Sequence, residues 1–266
     1  MKSIFRIIYI LALVLMSVSC STTRVLQDGE YRLTKNKIRI ENDKEFNPNQ
    51  LNKYLKQNEN LGWSPFLYVY NWTNGQGKGW DKLVQKIGKA PVVYDPEQVE
   101  NSISNITNHL EYLGFYGSEV ESEIKVNKKK VSVTYNVSLG KPYTIKEISI
   151  VLPERGEFRE AFLADTAAMS VRKGDILAEQ SLEEETEAMA ASLRNKGFYT
   201  FSKNNFFFEA DTFSIPGYAL LEMKVNEYTR NETPKDAQPI RKFYIDDVTS
   251  SYPKTLKIRE QILRDL

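Results

Sequence analysis

Side chains that could perform catalysis are scarce in this sequence. His109 is the only histidine, so a serine or cysteine triad elsewhere would lack its base, and neither a His-Glu-x-x-His motif nor a Gly-x-x-x-x-Gly-Lys loop occurs. His109 adjoins an apolar stripe between Ile106 and Leu110, which favours a structural role. We therefore predict a chain that is not an enzyme and that needs no cofactor and no metal.

The only cysteine, Cys20, is placed for covalent attachment of lipid. Two basic residues, Lys2 and Arg6, precede an apolar run over residues 7–18, which is too short to span a bilayer and is typical of a secretory signal. Bacterial lipoproteins are acylated on a cysteine at the end of such a run. We predict a lipoprotein signal peptide over residues 1–19 and lipid attachment at Cys20.

Ser17 leaves an alternative to acylation, because the usual lipoprotein motif has leucine there. A cleaved signal that leaves an unmodified thiol is this alternative. With acylation, residues 20–34 would act as the tether between the lipid and the first folded unit. The formal net charge of +1 on 266 residues argues against nucleic acid as a partner, since such a chain would have a basic surplus.

The elements that would position any site are repeated. Leu110–Gly117 and Leu193–Thr200 share the pattern Leu-x-x-x-Gly-Phe-Tyr, and each closes a predicted amphipathic helix. Asp95 and Pro96 predict the start of the first helix, and a capping box of Ser181 and Glu184 predicts the start of the second. Gly114 and Gly197 predict left-handed helix ends.

The apolar period changes from helical to alternating after each of these helices. Val120, Ile124 and Val126 predict one buried face of a hairpin, and residues 206–209 and 218–225 predict its second copy. Opening strands are predicted over residues 37–41 and 143–151. A shorter helix follows each opening strand, over residues 47–57 and 157–168. The predicted class is α+β, with tandem β-α-α-β-β units, each a three-stranded mixed sheet covered on one face by two helices.

This pattern resembles the polypeptide-transport-associated (POTRA) domain of the BamA/TamA superfamily of outer-membrane assembly proteins. The resemblance is closest to the lipid-anchored TamA-like (TamL) branch of Bacteroidetes. It rests on these segments: Leu33–Ile38, the aromatic insertion before Ile87, residues 87–95, the two Gly-Phe-Tyr helix ends, and Phe206–Thr212. Family members continue into a membrane β-barrel, which we expect this chain to lack.

The predicted organisation follows from the repeat and the resemblance. POTRA-like unit 1 covers residues 35–141 with an aromatic insertion at 61–88, and POTRA-like unit 2 covers residues 142–230. A linker follows at 231–242, and residues 243–266 begin an incomplete third POTRA-like unit. Residues 21–24 lack the acidic cluster that resembles a surface-export signal in Bacteroidetes lipoproteins, so the expected location is the outer membrane, lipid-anchored and facing the periplasm.

The resemblance implies a binding scaffold whose partners are unfolded outer-membrane proteins, envelope assembly partners, or both. Backbone groups at a free sheet edge can pair with an extended segment whatever its sequence. If the strand order resembles that of the family, the candidate edge residues are Glu119, Val120, Glu121, Ser122 and Glu123 in unit 1, and Asn205, Phe206, Phe207 and Phe208 in unit 2. Another cell-envelope POTRA-type scaffold lipoprotein, or a truncated remnant of an assembly factor, is the alternative.

The aromatic insertion offers two interpretations. Its aromatic side chains either pack on the helices of unit 1 or form a contact surface for a membrane or a partner, since both surfaces favour Tyr and Trp. The candidate contact residues are Trp63, Phe66, Tyr68, Tyr70 and Trp72.

Overall fold

The structure is a computed structural model that describes residues 22–60, 64–73, 77, 79–154, 156–229, 231–232, 234–236, 238 and 240–244. Cys20, Trp63 and nearly all of the predicted third unit lie outside these residues. The chain divides into two units. Unit 1 ends at Tyr143 and includes Ile176–Glu179, and unit 2 comprises Thr144–Asp175 and the chain from Gln180.

Unit 2 has the predicted β-α-α-β-β order, whereas unit 1 has a 3-10 helix in place of its first predicted helix and two further short helices in its insertion. The elements of unit 1 are β1 (Arg32–Ile40), a 3-10 helix (Pro48–Tyr54), α1 (Pro65–Tyr70), α2 (Trp80–Ile87), α3 (Pro96–Tyr112), β2 (Glu119–Asn127) and β3 (Lys130–Ser138). The following elements are β4 (Thr144–Val151), α4 (Glu157–Asp165), a 3-10 helix (Thr166–Ala168), α5 (Glu179–Asn195), a 3-10 helix (Lys203–Asn205), β5 (Phe206–Asp211), β6 (Tyr218–Val225) and a 3-10 helix (Pro234–Asp236).

Each unit contains one three-stranded mixed sheet, which confirms the predicted class. The strand orders are β1-β3-β2 and β4-β6-β5, so the last strand of each unit lies in the centre. The first strand pairs with it in parallel and the second strand pairs with it antiparallel.

A register shift interrupts the opening strand of both sheets at the same place. It lies between Leu33 and Lys35 in β1 and between Ile145 and Glu147 in β4. The extra residue explains why apolar residues stand three apart at Ile145 and Ile148 instead of two. It also explains why the predicted β1 began at residue 37, because alternation fails at the shift, whereas the strand begins at Arg32.

Helix α3 has the predicted ends. The Asp95 side chain accepts a hydrogen bond from the Glu97 amide at 3.0 Å, and Pro96 is the first helical residue. Gly114 follows the helix with φ +93, and the Phe115 amide donates to the Leu110 carbonyl. Gly197 and Phe198 repeat this arrangement after α5. The two Gly-Phe-Tyr segments are therefore equivalent helix ends of the Schellman type.

Two predictions about helices were wrong. Residues 47–57 form a shorter 3-10 helix, Pro48–Tyr54, because several asparagines favour turns over a continued α-helix. Helix α5 begins at Glu179, so Ser181 is not its cap. The Glu184 carboxylate instead accepts a hydrogen bond from the Gln180 side chain at 2.9 Å, one turn back along the helix.

The two units have separate hydrophobic cores of different composition. The unit 1 core is mainly aliphatic: Leu33, Ile38, Leu51, Val99, Ile106, Leu110, Val131, Val133, Tyr135, Val137 and Leu139. The unit 2 core is rich in phenylalanine: Leu152, Phe158, Phe162, Met169, Met189, Ala190, Leu193, Phe198, Phe201, Phe206, Met223 and Val225. Both clusters lie within residues 33–225, so the chain from residue 22 contains both cores.

A buried polar side chain holds the segment after the first helix in each unit. In α3, the Ser102 hydroxyl accepts a hydrogen bond from the Lys56 amide at 2.9 Å. In α5, one carboxylate oxygen of Glu185 accepts hydrogen bonds from the Ser170 amide at 2.6 Å, the Ser170 hydroxyl at 2.5 Å and the Val171 amide at 3.1 Å.

Among the described residues, no helix combines the length and apolar character needed to span a bilayer.

Candidate partner-binding site

The predicted edge strands are at sheet edges. β2 pairs with β3 along one side and β5 pairs with β6 along one side, and neither has a second strand neighbour in the part of the chain that the structure describes. A β-strand at a sheet edge presents unpaired amides and carbonyls to a further strand. These two edges are therefore the backbone surfaces at which an extended partner segment could pair.

The opposite edge of each sheet is partly occupied by its own chain. At the start of β1, the Leu33 amide donates to the Val92 carbonyl at 2.8 Å, and the Tyr94 amide donates to the Tyr31 carbonyl at 2.7 Å. At the start of β4, the Ile145 amide and carbonyl both bond to residues 174–175 at 2.8 Å. The loop that precedes the long helix thus covers part of β1 and of β4.

The open face of β2 is acidic. Glu119, Glu121 and Glu123 alternate along this face, opposite Ser138, Asn136 and Thr134 of β3. A hydrogen bond from Lys125, at 2.9 Å, and the charge of that lysine lower the pKa of Glu123 below its usual value. Charged side chains on an edge discourage permanent pairing between copies and leave the backbone groups accessible.

The other face of β2 changes character along the strand. Val120 packs against the core, but Ile124 is 44% exposed and Val126 is 58% exposed. Their partners on β3, Val133 and Val131, are fully buried. The predicted buried face is thus wrong for this half of β2, because the helical layer covers the central strand and Val120 but leaves Ile124 and Val126 exposed. Ile124 and Val126 were not among the predicted site residues.

The second edge is less accessible than the first. Phe206 is fully buried in the unit 2 core, and Phe208 packs against that core from the same face. Asn205 is also buried, and its side chain bonds to Ser202 and to the Asn226 carbonyl. The Phe207 ring contacts Tyr228 at 5.5 Å between centroids. The predicted edge residues 205–208 are therefore structural. The exposed part of β5 is Glu209–Ala210.

The insertion forms two short helices, α1 and α2. Phe66 and Trp72 are about half exposed, whereas Tyr68 and Tyr70 are partly buried. Internal packing uses Leu67 of α1 and Val84 of α2, and both are fully buried. The prediction omitted three further exposed residues of α2: Trp80, Leu83 and Ile87. Their spacing of three and four residues was the signal that could have identified them.

The chain that follows Cys20 packs against unit 1 from Thr22 onward. The Thr22 hydroxyl accepts a hydrogen bond from the Arg32 guanidinium at 2.6 Å, and both residues are buried. The Arg24 amide donates to the Asn71 side chain at 2.9 Å, and the Lys129 ammonium donates to the Leu26 carbonyl at 3.1 Å. This part of the predicted tether is therefore bonded to the insertion and to the β2–β3 turn.

His109 takes part in packing. Its Nδ1 lies 2.8 Å from the Tyr54 hydroxyl and its ring stacks on the Tyr54 ring at 4.1 Å, which ties the 3-10 helix to α3. Burial, and then the positive charge of Lys53, lower the pKa of His109 below its usual value. The described residues contain no group of three or more His, Cys, Asp or Glu side chains arranged to hold a metal ion.

Residues 34–140 match the family model POTRA, described as surface antigen variable number repeat. This match covers most of unit 1. Unit 2 repeats its strand order, its mixed pairing and the register shift in its opening strand. The comparison with curated proteins finds no significant match.

Solved structures of POTRA domains are similar at low identity. For POTRA3–5 of BamA from Haemophilus influenzae, the TM-score is 0.42 and the identity 14%, covering 88% of this chain and 79% of that chain. For POTRA1–2 of the periplasmic domain of Omp85 from Anabaena, the TM-score is 0.31 and the identity 15%, covering 74% and 96%. At these values, the fold assignment rests on the observed strand order and on the family model.

Proposed function

We propose that this chain is a non-enzymatic periplasmic scaffold in outer-membrane protein assembly or translocation, and that β2 takes up client or partner strands by β-augmentation. The observation that supports the proposal is the nine-residue edge of β2, with its unpaired side and its exposed Ile124 and Val126. Backbone pairing accepts many sequences, and the exposed apolar side chains of β2 would pack against the alternating apolar residues of a membrane strand. The accessible part of β5, Glu209–Ala210, provides a second and shorter edge.

The proposal includes the location and the branch of the family. Acylation at Cys20 would hold the chain on the periplasmic face of the outer membrane, as in the lipid-anchored TamL branch of Bacteroidetes. Unit 1 would then present β2 close to the membrane where clients arrive. Contact with protein clients and assembly partners is the function that the POTRA match suggests.

Site-specific photocrosslinking tests the strand uptake. A photoreactive phenylalanine analogue would replace Ile124 or Val126, and a denatured porin would serve as the client. The matched control is Val151 of β4, which is 41% exposed on a strand that is not the proposed receiver. We expect adducts at positions 124 and 126 well above those at 151. Equal yields at all three positions would contradict uptake at β2.

A second test introduces a negative charge at Ile124 or Val126 of β2 and measures porin capture. Ile124→Asp and Val126→Asp should leave folding intact, because both side chains are about half exposed, and should reduce porin capture. Val151→Asp should leave capture unchanged. Unaltered capture in the β2 variants would show that the client binds elsewhere.

A further inference from the structure

Helix α2 presents an apolar stripe to solvent. Trp80, Leu83 and Ile87 are each about half exposed, and their spacing places them on one face of the helix. Single exposed apolar residues are ordinary, but a row of large ones on one helix is typical of an interaction surface. Phe66 and Trp72, at the two ends of α1, add two more exposed aromatic side chains to the same insertion.

The position of this stripe is fixed by packing on the opposite side of the insertion. Val84 is buried, and the Asp81 carboxylate, also buried, accepts a hydrogen bond from the Gly77 amide at 2.9 Å. The Lys89 amide donates to the Phe66 carbonyl at 2.9 Å, and Gly88 lies so close to Tyr70 that a Cβ would meet its backbone at 2.7 Å. The two helices are thus joined to each other while their large apolar side chains face outward.

The charge of the insertion is strongly positive. Residues 64–90 contain four lysines and one acidic residue, Asp81, a local charge of +3 in a chain whose total is +1. Lys82, Lys86 and Lys89 are exposed, whereas Asp81 is buried. Apolar and aromatic residues flanked by lysines are the composition of helices that lie in the interface of an anionic bilayer.

The attachment of the N-terminal segment places Arg24 beside the insertion. Arg24, four residues after Cys20, donates its amide hydrogen to the side chain of Asn71, the residue before Trp72. Asn71 is itself buried and donates to the Leu67 carbonyl at 2.8 Å. The chain therefore enters unit 1 directly beside the exposed aromatic residues.

We infer that the insertion is a second membrane contact, in which Phe66, Trp72, Trp80, Leu83 and Ile87 enter the headgroup boundary of a bilayer and the lysines bind anionic lipid phosphates. One lipid-binding surface beside the chain entry would orient unit 1 on the membrane, where a single point of lipid attachment would not. The inference does not depend on strand uptake at β2, because it concerns other residues and another ligand.

Bromolipid quenching tests it with residues 22–266, which contain both cores and omit Cys20 and the apolar run before it. The probe is a vesicle of phosphatidylethanolamine and phosphatidylglycerol. The test chain is Trp63→Phe/Trp72→Phe, which leaves Trp80 alone. The control chain lacks all three native tryptophans and has Phe213→Trp, at a position 94% exposed in unit 2.

We expect the test chain to float with the vesicles and its emission to shift to the blue and to be quenched by brominated acyl chains, while the tryptophan at position 213 is not quenched. No flotation, or equal quenching in both chains, would overturn the inference. A blue shift that grows with protein concentration in the absence of lipid would mean that a second copy covers the stripe, and this too would overturn it.

A charge-matched pair tests the contribution of the lysines. Lys82→Gln/Lys86→Gln should weaken binding by about fivefold for each charge removed, the change that corresponds to about 1 kcal/mol per basic residue near an anionic surface. Lys35→Gln/Lys37→Gln removes the same charge from exposed positions on β1 and should leave binding unchanged. Equal losses of vesicle binding in both pairs would mean that binding depends on the total charge of the chain, and this would overturn the proposed site on the insertion.

Discussion

The two units share one topology but use their second strand differently. In unit 1, β2 is a nine-residue strand with glutamates on one face and exposed Ile124 and Val126 on the other. In unit 2, β5 has six residues and begins with Phe206 in the centre of the core. The same position in the fold is therefore mainly surface in one unit and mainly core in the other. An open edge in the topology does not by itself define a binding edge.

The cores explain this difference. Unit 2 fills the space between its sheet and helices with phenylalanine rings, and Phe206 contacts Phe201 at 5.3 Å and Phe162 at 6.1 Å between centroids. Unit 1 fills the same layer with aliphatic side chains from the central strand and α3. Its second strand contributes little beyond Val120, so the far half of β2 is free for another use.

Truncation of one side chain on β2 and one on β5 should give the largest difference in lost stability between the two units. Phe206→Ala is expected to destabilise unit 2 by about 3 to 5 kcal/mol, because a buried ring is lost from a packed core. Ile124→Ala should cost unit 1 less than about 1 kcal/mol, because the side chain is already half in solvent. Hydrogen-exchange mass spectrometry on β6 and β3 peptides measures the two units separately. Similar losses would mean that β2 and β5 have the same structural role.

Removal of the buried polar side chains Glu185 and Ser102 should also destabilise unit 2 more than unit 1, but by a smaller difference. Glu185→Ala removes the acceptor of three hydrogen bonds and leaves two backbone amides unsatisfied, so we expect a loss of about 3 kcal/mol in unit 2. Ser102→Ala removes the acceptor for one amide and should cost unit 1 about 1 kcal/mol. The same exchange measurement applies, and Glu185→Gln, which keeps an acceptor oxygen, should recover part of the loss. No recovery would indicate that the charge of Glu185, and not its hydrogen bonds, holds residues 170–171.

Sequence patterns predicted what local chemistry determines. The cap at Asp95, the glycine ends of α3 and α5, and the strand alternation of β6 depend on neighbouring residues, and all are present in the structure. The open edges depend on strand order, which the resemblance supplied. The register shift in β1 was not predicted, because one extra residue removes the period on which strand prediction depends.

Exposure was the property that the sequence could not give. Ile124 alternates with polar residues as a buried strand residue does, and only the extent of the helical layer decides that it is exposed. The insertion was predicted as a region of aromatic contacts, but α1 and α2 are short and have no side-chain caps at their starts, so their boundaries were not visible. Consequently the spacing of Trp80, Leu83 and Ile87 indicates a stripe in the sequence, but only the structure shows that this stripe is exposed.

The smallest expected difference between the units is in how their stability depends on pH, since only unit 1 contains a histidine. Burial lowers the pKa of His109 in the folded state below its ordinary value of 6.5, so the unfolded chain takes up the proton first as the pH falls. The contribution of His109 to stability is therefore complete above about pH 6.5 and is lost as the pH falls below it. Hydrogen exchange between about pH 7.5 and 5.5, corrected for intrinsic rates, should show a loss of protection in α3 that is absent from α5. His109→Gln should abolish the difference. A loss of equal size in α5, or one that persists in His109→Gln, would assign the effect to carboxylates and remove His109 as the titrating contact between the 3-10 helix and α3.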